Sequence, residues 1–204
     1  MQETPLRHAP ATARNREAIL AELQRLLPPS THLLLEIASG TGEHAAFMTP
    51  QLPAVLRWQP SDADPDNLLQ IDGHARASQC DRILGAIDLD VTAAAWPIPQ
   101  ADAVLCCNMI HIAPFAAAEG LFAGAARSLG DGAPFILYGP FRRHGAHTAP
   151  SNEGFDAGLK SRNPDWGVRC LDGEIVPLAE RTGFALNEIV PMPANNLTVV
   201  FRRR

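Results

Sequence analysis

Short apolar runs alternate along this chain with longer stretches in which apolar residues recur at helical spacing. Residues 14–27 put Ile19, Leu20, Leu23, Leu26 and Leu27 on one face and end at Pro28-Pro29, which predicts an amphipathic helix ahead of the first strand. The run His32–Ile37 then meets Ser39-Gly40-Thr41-Gly42, the pattern of a buried parallel strand and a tight turn, with a helix from about Glu43 to Leu52 after it. The same unit recurs. Val55–Gln59 reads as a strand with a helix after Asp64, Ile83–Leu89 as a strand whose crossover carries Trp96-Pro97, and Ala103–Cys107 as a strand followed by an Ala-rich helix over 115–129. Phe135–Tyr138 is a fifth strand, entered through the turn Gly130-Asp131-Gly132.

Beyond Tyr138-Gly139-Pro140 the periodicity loosens, with a short helix expected over 153–162; residues 141–170 read as an insert over the active site. A helix near 174–182 and two strands, Phe184–Val190 and Leu197–Phe201, close the chain. The six residues that join these strands are too few for a crossover, so the pair must be antiparallel. The expectation is one α/β domain over 1–204: a doubly wound, Rossmann-like sheet of seven strands, mostly parallel with an antiparallel C-terminal strand, capped by N-terminal helical residues 1–30.

Composition narrows the classes. The 204 residues hold 46% hydrophobic and 19% charged positions, enough for a sizeable core and too apolar for wholesale disorder. Lys+Arg 17 against Asp+Glu 22 gives a net charge of −5, the wrong sign for a phosphate-binding face, so nucleic acid is not the expected partner. No apolar segment approaches a membrane span, and the N-terminus has no basic stretch followed by an apolar core, so a cytoplasmic protein is expected. The seven His and four Cys are scattered rather than spaced as paired ligands; no metal site is expected, and the cysteines read as reduced thiols.

Open α/β sheets bind ligands beyond the carboxyl ends of their strands, and there the polar residues of this sequence collect. Glu36 ends the first strand, and Ala38-Ser39-Gly40-Thr41-Gly42 lets backbone N–H groups at a helix start approach a ligand. Asp62 follows the second strand about 20 residues later, where a carboxylate can accept from ribose hydroxyls, and Asp90 follows the third, where an acid can accept from an exocyclic amine. Such an order suits a ligand with an adenosine, an amine and no phosphate, which S-adenosylmethionine is. Gly40-x-Gly42-x-x-Ala45 with Asp62 also satisfies the dinucleotide fingerprint, so an NAD-linked oxidoreductase stays open. Asp62 and Asp90 also fit plain turn and cap roles. Asn108 and His111 sit at the end of the fourth strand, where a histidine suits a general base, and Tyr138, the one Tyr of the chain, ends the fifth. For Tyr138 a structural hydrogen bond is the competing reading. Arg142-Arg143-His144 in the insert reads as a solvated basic loop or as a grip on an acidic substrate.

Glu36-x-x-x-Gly40-x-Gly42, Asp62, Asp90 and the terminal hairpin resemble the cofactor motifs and sheet end of class I S-adenosylmethionine-dependent methyltransferases. Several blocks resemble the methyltransferase-like 26 family: Ala13-Arg14-Asn15, Leu35–Ala45, Trp58–Asp62, Asn108–Ile112, Tyr138–Phe141, Ser151-Asn152, Phe155-Asp156 and Met192–Asn196. The resemblance implies methyl transfer from S-adenosylmethionine to a small-molecule acceptor. Arg14, Asn15, Glu36, Ala38, Ser39, Gly40, Thr41, Gly42, Asp62, Asp90 and Asn108 would then hold the cofactor, with His111 and Tyr138 as catalytic candidates. A binding module that holds the same cofactor without catalysis is the alternative, since no residue is unmistakably catalytic.

Overall fold

In the structure, a computed structural model that describes residues 5–204, helix α1 (Pro10–Leu26) precedes strand β1 (Leu33–Ile37). Proline at the start of α1 fixes a helical φ and gives up an N–H that no residue there could use, so the helix starts earlier than its apolar stripe. Helix α2 (Glu43–Met48), strand β2 (Arg57–Asp62), helix α3 (Pro65–Ser78), strand β3 (Ile87–Asp88), strand β4 (Ala103–Cys107), helix α4 (Phe115–Ser128) and strand β5 (Pro134–Gly139) follow. The insert forms a small hairpin, β6 (Arg142–Arg143) with β7 (Ala146–His147), and helix α5 (Pro150–Arg162). A π-helical turn, Leu171–Ile175, leads into α6 (Val176–Arg181), and β8 (Phe184–Met192) and β9 (Asn196–Arg203) end the chain.

The seven-stranded sheet has the order β3-β2-β1-β4-β5-β9-β8. Pairing is parallel from β3 to β5, and β9 lies antiparallel to both β5 and β8. The predicted class, doubly wound with an antiparallel C-terminal end, is the one observed. Alternation along the central strands divides the core between two faces. Leu34, Leu105, Ile136, Tyr138 and Val200 pack with α1 and α2, whereas Leu35, Val104, Cys106, Leu137 and Phe201 pack with α4 and α6.

Two expectations change. The strand over Ile83–Leu89 is broken: Ile83 bridges Trp58, the ladder resumes at Ile87, and between them side chains take the backbone groups. Gln59 donates to the Gly85 carbonyl and Asp72 accepts from Ala86 N–H. The break is where Pro60, inside β2, has no N–H to offer a neighbour. The helix after Gly42 stops at Met48, and Pro50 sits in a separate 3-10 turn over Thr49–Gln51.

Helix α4 lies close against the crossover before β4. A Cβ on Gly124 would fall inside the indole of Trp96, a rigid side chain that is 9% exposed. Gly124→Ala is therefore expected to cost about 2–3 kcal/mol by overpacking, a fall of roughly 5–10 °C in Tm for a chain of this size. Gly158→Ala in α5, where a Cβ meets nothing within 4 Å, is the control and should hold or raise the Tm. Thermal denaturation of the two variants beside the parent checks both.

Candidate functional site

β1 ends at Ile37, and three of the next five residues, Ala38 (φ 56°), Gly40 (φ 60°) and Gly42 (φ 82°), are left-handed. The chain thereby reverses into α2 within one short turn. Gly42 is needed for packing as well, since its Cβ would stand 2.6 Å from the Ile71 backbone of α3; around Gly40 the space is open. The turn is stitched to the end of β2. Gly40 N–H donates to Asp62 Oδ2 (2.9 Å), Asp64 N–H to Asp62 Oδ1 (3.0 Å), Ser39 N–H to the Ser61 carbonyl (2.8 Å), and Ser61 Oγ to the Glu36 carbonyl (2.7 Å). Each carboxylate oxygen carries two acceptor positions, so Asp62, 6% exposed at the rim of this turn, keeps capacity for a ligand hydroxyl.

Behind the turn runs a chain of buried polar groups. Trp58 Nε1 donates to Glu36 Oε2 (3.0 Å), and Glu36 Oε1 lies 3.5 Å from His44 Nδ1. His44 Nε2 meets Asn15 Oδ1 at 2.9 Å, and Asn15 and Asn196 stand beside the Tyr138 hydroxyl. The five from Trp58 to Tyr138 are at most 7% exposed. Glu36, expected to orient a ligand directly, instead has both oxygens inside the protein and acts on the turn from behind. Tyr138 is buried as well, and burial pushes its hydroxyl pKa up, which fits a structural role and not proton transfer.

His111 corrects the expectation of a general base. It is fully buried, edge-on to Phe141 (4.9 Å), and its Nδ1 accepts from Arg169 N–H (3.2 Å). That bond leaves the hydrogen on Nε2, which has no acceptor among the described residues and faces the Gly139 backbone. Burial, with the Arg169 charge nearby, drives the imidazole pKa down to about 3. A ring with one lone pair occupied and so little affinity for a proton donates; it does not abstract. His111 and Tyr138 also belong to different faces of the sheet, packing in the α4 and α1 layers respectively.

The remaining candidates separate by position. Asn108 is half-buried and left-handed (φ 63°), a conformation Asn tolerates; its N–H donates to the Tyr138 carbonyl (2.8 Å), and its Oδ1 lies beside Gly139. Arg14 is exposed with its charge near the Tyr138 hydroxyl. Thr41 Oγ1 donates to Glu43. Asp90 is exposed, and its Oδ1 accepts from both Thr92 N–H and Thr92 Oγ1, the turn role realised, with these bonds lowering its pKa. The basic loop is committed internally: Arg143 grips Asp172 through two nitrogens and Arg142 binds Glu174 and the Val168 carbonyl. Burial pushes the Cys106 thiol up to about 12 and Cys107 upward as well, so neither is a nucleophile at neutral pH. His44, Trp58, Ser61 and Asn196 hold the site together without having stood out individually; polar residues flanking the Gly turn and ending strands were the available signal.

The sheet order and its antiparallel C-terminal end define a doubly wound, Rossmann-like α/β architecture. The chain belongs to the family described as Protein of unknown function (DUF938), whose sequence profile matches residues 6–203. Among solved structures it is similar to the mitomycin 7-O-methyltransferase MmcR, with a TM-score of 0.79 and 16% identity over 95% of this chain and 54% of that one. It is also similar to human N-acetylserotonin methyltransferase in complex with SAM, with a TM-score of 0.78 and 14% identity over 95% and 52%. The pyocyanin biosynthetic protein PhzM gives 0.73 and 20% over 98% and 60%. The chain spans between 52% and 60% of the length of these three, and at such identities the likeness is one of fold. No helix among the described residues is long and apolar enough to cross a membrane.

An imidazole that is neutral when folded, with a pKa of about 3 against about 6.5 unfolded, takes up its proton on unfolding. Its contribution to stability is complete above about pH 6.5 and is lost as pH falls toward 3. From pH 7.5 to pH 5 the unfolding free energy should therefore drop by about 2 kcal/mol from this group. The His111 ring should show the Nε2–H tautomer by nitrogen chemical shift throughout that range. A His111 signal titrating near pH 6.5 would overturn the assignment.

Proposed function

We propose that the protein binds S-adenosylmethionine beyond the carboxyl ends of β1, β2 and β4 and transfers its methyl group to a small-molecule acceptor. The observation that carries this reading is Gly40: a left-handed residue with open space where a Cβ would stand, tied by its N–H to a carboxylate at the rim. Backbone atoms of a ligand-binding turn need that clearance, and a carboxylate beside it suits paired ribose hydroxyls. The sheet order supports the same choice over NAD, because the dinucleotide-binding order 3-2-1-4-5-6 has no antiparallel strand lodged before its last position. The resemblance to methyltransferase-like 26 proteins fits this reading, as do the solved methyltransferases that share the fold.

When bound, this cofactor supplies an electrophilic methyl group on a sulfonium. The residues of the chain bind, orient and exclude water. The turn Ala38–Gly42 would hold the methionine end, Asp62 the ribose, and Asp90, through the oxygen Thr92 leaves free, the adenine amine. Asn108, Arg14 and Asn15 close the side toward β5, and the insert 141–170 supplies acceptor contacts from above. With His111 a donor and the Tyr138 hydroxyl buried, neither catalytic candidate is suited to take a proton. The acceptor therefore brings its own lone pair, and rate comes from alignment in a dry site. The same lack of a base favours a second reading, a module that binds the cofactor without turnover.

Calorimetry tests the binding. S-adenosylmethionine and S-adenosylhomocysteine should bind saturably and NAD should not. Asp62→Ala should weaken binding about 10- to 100-fold, the loss of a charged hydrogen-bond acceptor worth about 1.5–3 kcal/mol. Equal binding by Asp62→Ala would remove the ribose role, and no binding by the parent would remove the cofactor. Labelled methyl transfer into a cell extract, lost in Asp62→Ala, separates the enzyme from the module.

A further inference from the structure

Residues 5–9 lie across the outer side of α2 and α3, next to the Gly turn. Arg7 N–H donates to Gln70 Oε1, the Arg7 guanidinium to Asn67 Oδ1, and Ala9 N–H to Glu43 Oε2; Leu6 packs on Gly73. Within this seam His8 Nδ1 lies 2.9 Å from Glu43 Oε1, and His74 Nε2 lies 2.8 Å from the Arg7 carbonyl. The two imidazoles stand edge to face with centroids 5.4 Å apart. His8, Glu43 and His74 each offer one ligand atom, and the three atoms fall within 4.8 Å of one another.

We propose that His8, Glu43 and His74 form a binding site for one divalent transition-metal ion of the zinc class, which clasps the N-terminal segment to α2 and α3. Two imidazoles and a carboxylate are a donor set that zinc, nickel and copper take and that magnesium and calcium do not favour. The surroundings are those of ligands. A carbonyl can only accept, so the Arg7 oxygen fixes the hydrogen of His74 on Nε2 and leaves a lone pair on Nδ1, as outer hydrogen bonds to metal-bound histidines do. Glu43 is anchored by Ala9 N–H and Thr41 Oγ1.

Tetrahedral ligands at 2.0–2.1 Å from zinc stand about 3.4 Å apart. The three atoms already lie within about 1.4 Å of that spacing, and the His8 side chain, 74% exposed, is free to adjust. The sequence hides this site because its ligands come from three separate elements with 34 and 30 residues between them.

Calorimetric titration of the full, untagged chain with zinc, and with magnesium as comparison, tests the proposal. One zinc ion per chain should bind, magnesium should not, and His8→Ala should weaken zinc binding at least 30-fold with an unchanged Tm, since His8 is exposed. His74→Gln should do the same. Half-buried Cys80 and Cys107 are the competing donors, and cobalt(II) separates them, since a thiolate ligand gives a charge-transfer band and an N/O site does not. Zinc affinity equal in the parent and His8→Ala, no saturable zinc binding, or a thiolate band lost in Cys80→Ser would each overturn the site. None of these readouts depends on the cofactor reading.

Discussion

A carboxylate buried at the end of the first strand is the constraint on which the rest of the site depends. Glu36 is 1% exposed, and a carboxyl group taken out of water at that depth is tolerated only when hydrogen-bond partners surround it. The Trp58 indole arrives from β2 and the His44 imidazole from α2, so the carboxylate sets the spacing between β1, its neighbouring strand and the helix that follows the turn. His44 in turn binds Asn15, which brings α1 against the sheet, and the Tyr138 hydroxyl lies beside Asn15 and Asn196 of the terminal hairpin. Elements far apart in sequence are placed by one run of polar contacts. Partial loss of such a network costs more than a single bond, because each remaining partner is left buried and unsatisfied. The left-handed turn above it can therefore be open at Gly40 and still be held in one shape.

How far this was legible depends on what each feature's signal is. The alternation of apolar runs and helical stripes carried the architecture, down to β4 over Ala103–Cys107, because a parallel strand covered on both faces is apolar throughout. The break in β3 was not legible, since Leu84–Ala86 reads as strand and only the partners Gln59 and Asp72, distant in sequence, show why it is not. At the site, Gly40, Gly42 and Asp62 were legible because turn chemistry and position after a strand are local. The fates of Glu36 and His111 were not. Whether an acid or an imidazole faces a ligand or the interior is decided by groups such as His44 and Arg169, whose approach is a property of the whole fold.

The insert explains why His111 is shut away. Arg169 spans the short helical turn Met109–His111, its guanidinium donating to the carbonyls of Ile110 and Ala113 while its own N–H meets the His111 ring. Gly167 N–H closes on the His111 carbonyl, and Phe141 covers the ring from the side. At its other end the insert reaches the terminal hairpin, where Asn152 donates to the Asn195 carbonyl and Asn195 to Ser151. The segment after β5 is thus fastened at two points rather than hung as a loose loop, and His111 serves as one of its anchors. An orphaned Nε2–H facing Gly139 is the cost of that docking.

This arrangement bears on what chemistry the rim can carry. Neither His111 nor Tyr138 is placed to act as a base at this rim, because the two are sealed into opposite layers of the core. The proposed methyl transfer, to an acceptor that needs no deprotonation, would ask only for alignment and exclusion of water, and a turn held from behind by Glu36 suits the alignment. The polar chain from Trp58 through Glu36 and His44 to Asn15 thus does its work by rigidity: it keeps the Gly40 turn and α1 in fixed relation.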